Sequence, residues 1–110
     1  MKTTVRNTLL ASLLAAAGAP SIAQSAGELV LYCGVQEEWC RPMAAAFEKA
    51  TNIKVLMTRK SSGEIYAQIK AEAANPRGDI WWGGTGDPQL QAAEEALTDA
   101  YVSPRLDELQ

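Results

Sequence analysis

Glu28-Leu29-Val30-Leu31-Tyr32-Cys33-Gly34 opens the folded part of this chain, and the change of period just beyond it decides the fold. The apolar residues run on without alternation, which suits a strand covered on both faces, as in a parallel sheet. Gly34 ends the run, and from Glu37 the spacing becomes helical. Trp39, Met43, Phe47 and Ala50 recur every three or four residues and form one apolar stripe, with Glu48 and Lys49 outside it. Pro42 is expected in the first turn of this helix, where a missing N–H does least harm. Glu37 and Glu38 suit the positive start of a helix. Thr51-Asn52 closes it, and Ile53-Lys54-Val55-Leu56-Met57-Thr58 reads as a second strand.

The same alternation continues to the end of the chain. Arg59-Lys60-Ser61-Ser62-Gly63-Glu64 is a polar corner in which Ser61 and Glu64 have the spacing of a capping box. Ile65, Ile69 and Ala73 mark one face of the next helix, which is expected to stop at Asn75-Pro76 before a turn at Arg77-Gly78. Asp79-Ile80-Trp81-Trp82 reads as a short third strand. The glycine-rich loop Gly83-Gly84-Thr85-Gly86-Asp87-Pro88 leads into a helix from about Pro88 to Ala96, and a further helical turn is expected between Pro104 and Leu109. The order β-α-β-α-β-α gives an α/β fold with a mostly parallel sheet built from right-handed crossovers.

The residues before Glu28 carry a different message. Lys2 and Arg6 precede a short apolar core of leucines and alanines, Gly18 and Pro20 break that core, and Ser21-Ile22-Ala23 offers small residues for cleavage. Residues 1–23 therefore read as a signal peptide cut near Ala23, and residues 24–110 as the exported part. The apolar run falls short of the roughly 20 residues a membrane span needs. Removing Lys2 and Arg6 from ten basic residues leaves eight against thirteen acidic ones, a net charge of −5. Such a balance excludes nucleic acid as the natural partner, because phosphate backbones require a basic surface.

In open α/β sheets ligands bind beyond the carboxyl ends of the strands, where loops enter helix N-termini. Three corners of that kind emerge from the pattern: Gly34-Val35-Gln36, Ser61-Ser62-Gly63 and Gly83-Gly84-Thr85-Gly86. Ser61, Ser62 and Gly63 can offer hydroxyl and backbone N–H donors to an oxyanion, with Arg59 and Lys60 nearby; equally, Ser61 can simply cap its helix. Gly84 allows close backbone approach, and Thr85 adds a hydroxyl. The loop is neither a dinucleotide fingerprint, since the third glycine is missing, nor a phosphate loop, since it lacks the Lys-Ser/Thr pair. Trp81 and Trp82 must face opposite sides of their strand, so one belongs to the core and the other can wall a cleft. Trp82 is the candidate wall, and Gln36 a candidate amide donor.

Cys33 and Cys40 have six residues between them, running from a strand end to a helix start in an oxidising compartment. A structural disulfide across that corner is the expected state, in preference to free thiols or to a redox pair, which normally has two intervening residues. The chain has no histidine. Two thiolates alone do not fill a zinc shell, and a serine nucleophile would lack the commonest general base. No metal ligand, no cofactor and no catalytic residue is expected; an exported hydrolase is the weaker alternative.

Leu31-Tyr32-Cys33-Gly34-Val35-Gln36-Glu37-Glu38, Ala46-Phe47-Glu48-Lys49-Ala50-Thr51-Asn52-Ile53-Lys54-Val55, Thr58-Arg59-Lys60-Ser61-Ser62-Gly63-Glu64 and Gly78-Asp79-Ile80-Trp81-Trp82-Gly83-Gly84-Thr85-Gly86-Asp87 occur here in that order. Together they resemble the opening of the family 1 extracellular solute-binding proteins of ABC transporters, most closely the ferric-iron-type branch. The resemblance implies a type II periplasmic binding fold, two α/β lobes closing over a ligand, of which this chain is the N-terminal part of lobe 1 without hinge or second lobe. It also implies a periplasmic, monomeric binding protein that passes a small solute to an inner-membrane ABC permease. Where ferric-binding members commonly carry a histidine in the first corner, this chain has Gln36. The hydroxyls of the other corners suit a phosphate- or phosphonate-bearing solute, with ferric iron the alternative ligand and a non-functional truncated fragment the alternative state.

Overall fold

The computed structural model describes residues 27–109, so the expected signal peptide lies outside the described residues. The elements are β1 (Glu28–Cys33), α1 (Glu37–Thr51), β2 (Lys54–Arg59), α2 (Ser62–Ala71), β3 (Ile80–Trp82), α3 (Gly86–Glu94) and a 3-10 turn at Leu106–Glu108. The three strands form a parallel sheet in the order β2-β1-β3, with β1 in the middle as its unbroken apolar run requires. Leu29 pairs with Val55, Leu31 with both Met57 and Ile80, and Cys33 with both Arg59 and Trp82.

The register sorts side chains between two faces. Leu29, Leu31, Val55, Ile80 and Trp82 share the face that meets Met43 and Phe47 of α1. Tyr32 points to the opposite face, where its hydroxyl donates to Glu72 just beyond α2 (2.8 Å) and accepts from Gln68 of α2 (3.0 Å). α2 and α3 pack together on that side. Helices on both faces of a parallel sheet are the doubly wound arrangement, with α1 and α2 as the two crossovers. Leu31, Tyr32, Cys33, Cys40, Ile65 and Ala92 are buried.

Several local outcomes differ from the sequence expectation. Pro42 stands sixth in α1, beyond the first turn, so the ladder bond from residue 42 to the Glu38 carbonyl is missing. α2 ends at Ala71 rather than at Asn75, because the chain tightens through bonds from Ala73 N–H to Lys70 and from Asn75 N–H to Glu72. α3 starts two residues early, at Gly86, which places Pro88 in its first turn where it is tolerated. It also ends two residues early: Leu97 N–H bonds Ala92 and Ala96 N–H bonds Ala93, the pattern of a Schellman stop with Ala96 at φ 53°. Asp79 precedes β3 and clamps β1, its N–H donating to the Val30 carbonyl (3.0 Å) and its carboxylate accepting from Val30 N–H (2.8 Å).

The apolar stripe of α1 is only partly covered. Trp39 is 63% exposed and Met43 44%, and the space between α1 and the β3 side of the sheet is an open apolar groove of about 160 Å³. Among the described residues no helix is long and apolar enough to cross a membrane.

Candidate functional site

Because the strands are parallel, the loops after β1, β2 and β3 all leave from the same edge of the sheet, and they interlock there. Gly34 N–H donates to the Trp82 carbonyl (2.9 Å), extending the β1–β3 ladder by one bond. A Cβ on Gly34 would lie 2.5 Å from the Gly83 carbonyl oxygen, so only glycine fits. Gly84 has φ +102°, and a side chain there would strike Ser62 Oγ. Ser62 Oγ in turn accepts from the backbone N–H of Thr85 (2.9 Å), which fastens the start of α2 to the start of α3. Lys60 N–H donates to the Cys33 carbonyl (3.1 Å), and Arg59 Nε donates to the Val35 carbonyl (3.1 Å), which ties the second corner to the first.

Each candidate residue thus has a definite place. Ser61 is committed to its own helix: its Oγ accepts from Glu64 N–H (3.3 Å) and donates to the Glu64 carboxylate (2.6 Å), which also accepts from Ser61 N–H (2.9 Å). These bonds, with the charges of Lys60 and Arg59, hold the Glu64 carboxyl below the usual carboxylate range. Ser62, Gly84 and Thr85 are brought together by the link between α2 and α3, and Gly63 lies exposed in the first turn of α2. Gln36 stands exposed at the start of α1 with no side-chain capping bond, and Thr85 caps α3 without using its hydroxyl. Trp82 lies on the α1 face and lines the apolar groove there.

Two features are not evident from the sequence. The Trp81 indole N–H is buried and has no partner among the described residues, beside the space left by the absent side chain of Gly34. The pairing of Trp81 with Tyr32, two residues before Gly34, puts it there, and that pairing is implicit in three parallel strands. Arg59 is the other: the contact with Val35 turns a nearby charge into part of the corner. The Cys33–Cys40 disulfide forms as expected, with Cα atoms 6.3 Å apart and both residues fully buried.

What the edge offers chemically is donors. The first-turn N–H groups of Ser62, Gly63, Gly86 and Asp87 have no acceptor within their own helices, and both helix starts carry positive dipole ends. With the hydroxyls of Ser62 and Thr85 and the guanidinium of Arg59, this is a set suited to an oxyanion. Among the described residues no group of three His, Cys, Asp or Glu side chains is placed to hold a metal ion.

Comparison with known proteins bears on this arrangement. The family described as bacterial extracellular solute-binding protein matches residues 29–105. An uncharacterised protein of Haemophilus influenzae is 40% identical over 105 residues, covering 96% of this chain and 30% of that protein. The major ferric iron-binding protein of Neisseria gonorrhoeae is 34% identical over 82 residues, covering 74% of this chain and 23% of its own length. Among solved structures, the periplasmic binding protein AfuA of Actinobacillus pleuropneumoniae, with exogenous fructose-6-phosphate bound, superposes with a TM-score of 0.75 at 43% identity over 78% of this chain and 27% of AfuA. The chain spans less than a third of the length of each.

Proposed function

Because this chain belongs to the bacterial extracellular solute-binding proteins, we propose that it supplies one wall of a periplasmic binding site for a small phosphorylated solute, exported by the signal peptide at residues 1–23 and delivering its ligand to an ABC permease. The observation that carries this reading is the junction of Ser62, Gly84 and Thr85, where one hydroxyl fastens two helix starts through a 2.9 Å bond. Ser62 Oγ accepts from Thr85, so its own hydrogen is left to donate outward. Helix-start N–H groups beside it favour the same anionic ligand. AfuA, the relative with a sugar phosphate in its structure, supports the choice of ligand class.

Ferric iron is the second reading, favoured by the kinship with the Neisseria protein. The three corners of this chain bring it Gln36, Ser62 and Thr85, amide and hydroxyl groups rather than the carboxylates or phenolates that a hard trivalent cation prefers.

Ser62→Ala tests the reading in the complete protein that carries this chain. It removes both the donor toward ligand and the acceptor for Thr85 N–H. Calorimetric titration with fructose 6-phosphate is expected to show affinity about tenfold to a hundredfold weaker, in keeping with ~1.5–3 kcal/mol for a hydrogen bond to a charged group. Undiminished affinity in Ser62→Ala removes this junction from the binding site.

A further inference from the structure

The first corner is held in an unusual way. Ordinarily a helix start is held by a side-chain cap and by its own ladder. α1 has neither in full: Gln36 makes no side-chain capping bond, and Pro42 deletes the bond that would run back to the Glu38 carbonyl. Besides the ladder bonds that Pro42 leaves intact, the turn is held by a bond from Trp39 N–H to the Gln36 carbonyl (3.0 Å), an exposed pair between Glu37 and Arg41, and the disulfide. The disulfide joins the last residue of β1 to the fourth residue of α1, and the loop it closes contains Gly34, Val35 and Gln36.

The geometry points to Cys33–Cys40 as a positioning device for the ligand corner, holding Gln36 where the solute is received. This role rests on the proposed binding function and belongs to a crosslink that touches no ligand itself. On the sheet side the corner is already tied, by Gly34 N–H to Trp82 and by Arg59 Nε to Val35. The disulfide adds a covalent tie to α1, beside the backbone bond from Trp39 to Gln36. Without it the turn of α1 before Pro42 can open while the sheet persists, because the interior bonds of β1, β2 and β3 do not pass through that turn. Both cysteines are fully buried, which makes the crosslink a fixed part of the corner rather than one exchanged with external thiols.

If the corner is competent only a tenth of the time once the crosslink is gone, apparent affinity falls about tenfold with no change in any direct ligand contact. The test uses the complete oxidised protein, Cys33→Ala/Cys40→Ala, and Cys33→Val/Cys40→Ala as a second variant that refills part of the buried volume. Amide exchange without ligand is expected to show faster exchange confined to residues 35–41, with β1 and β2 still protected; unchanged protection there overturns the inference, whatever the ligand. Titration with fructose 6-phosphate is then run with and without Gln36→Ala. A positioning role predicts that losing the crosslink costs about tenfold in the parent and little in the Gln36→Ala background, a non-additivity that a general loss of stability does not produce. Penalties that simply add, or crosslink-free variants that bind like the parent, overturn the positioning role. Failure of the parent itself to bind the sugar phosphate overturns the ligand reading instead, and the exchange result still decides whether the corner is held by the crosslink.

Discussion

Tyr32 shows how one side chain can join two elements across the sheet. It is buried near the end of β1, yet its hydroxyl reaches the carboxylate of Glu72 and the amide of Gln68 on the helix side. Burial, then the hydrogen bond to Glu72, raises the phenol above its ordinary value, and the bonds from Gln68 and Tyr32 lower the Glu72 carboxyl. Gly78 lies against the ring, where a side chain would collide with it. Tyr32→Phe is therefore expected to lower stability by about 1 kcal/mol, since it removes one partner each from the Gln68 amide and the Glu72 carboxylate, which keep their bond to each other (2.9 Å), and a denaturant titration reads this directly. Ala96 gives the opposite kind of residue effect. It takes the left-handed position that ends α3, a conformation costly for any residue with a Cβ. Ala96→Gly is expected to stabilise by about 1 kcal/mol, visible as a higher Tm.

At the scale of elements, α2 is set by its capping box, and the box responds to acid. The Glu64 carboxyl is lowered by its bonds to Ser61, that of Glu72 by Gln68 and Tyr32, and that of Glu95 by Lys70 and Tyr66. A carboxyl whose folded value lies below its unfolded value adds stability above the unfolded value and loses it as pH falls through the folded one. Thermal melts should thus be nearly flat in these contributions above about pH 5 and fall below the ordinary carboxylate value of roughly 4.3. Glu64→Gln keeps a hydrogen-bonding side chain but does not titrate, so its melting curve should lose part of that acid-side slope; an unchanged slope would mean that Glu64 contributes nothing to it.

Elements were legible to different degrees for physical reasons. β1, the body of α1 and the Ser61–Glu64 box are local patterns, and they appear where those patterns place them. The end of α2 and the start of α3 depend on glycine, proline and turn bonds that only the packed chain decides. At the candidate site, the residue types were readable but their association was not. Ser62 bonds to Thr85 across 23 positions of sequence, and Arg59 reaches Val35 across 24, contacts that no periodicity encodes. Trp81 and Trp82 could be assigned opposite faces, but which one meets α1 required the register.

On the scale of the whole molecule, the described residues leave much apolar surface open. β2 and β3 are both edge strands, and Trp39, Met43, Leu90, Tyr101 and Val102 are exposed. A domain of this size buries only about two thirds of its surface. Residues 24–110 expressed alone are expected to bind an apolar dye and to self-associate through open edges, whereas the complete protein should do neither. A cooperative, dye-silent transition in the isolated segment would show that its groove and edges are adequately closed. The relatives are more than three times as long as this chain's matched span.

Central to the proposed function is that the wall formed by Ser62, Gly84 and Thr85 receives the phosphate of its solute. Calorimetric titration of the complete protein with fructose 6-phosphate and, separately, with fructose tests this most directly. Saturable binding is predicted for the phosphate ester. For the free sugar no binding is predicted, or binding at least about a hundredfold weaker, the order of ~3 kcal/mol for a charged, helix-start-bound group. Equal affinity for the two sugars, or binding of ferric iron with no response to either, would contradict it.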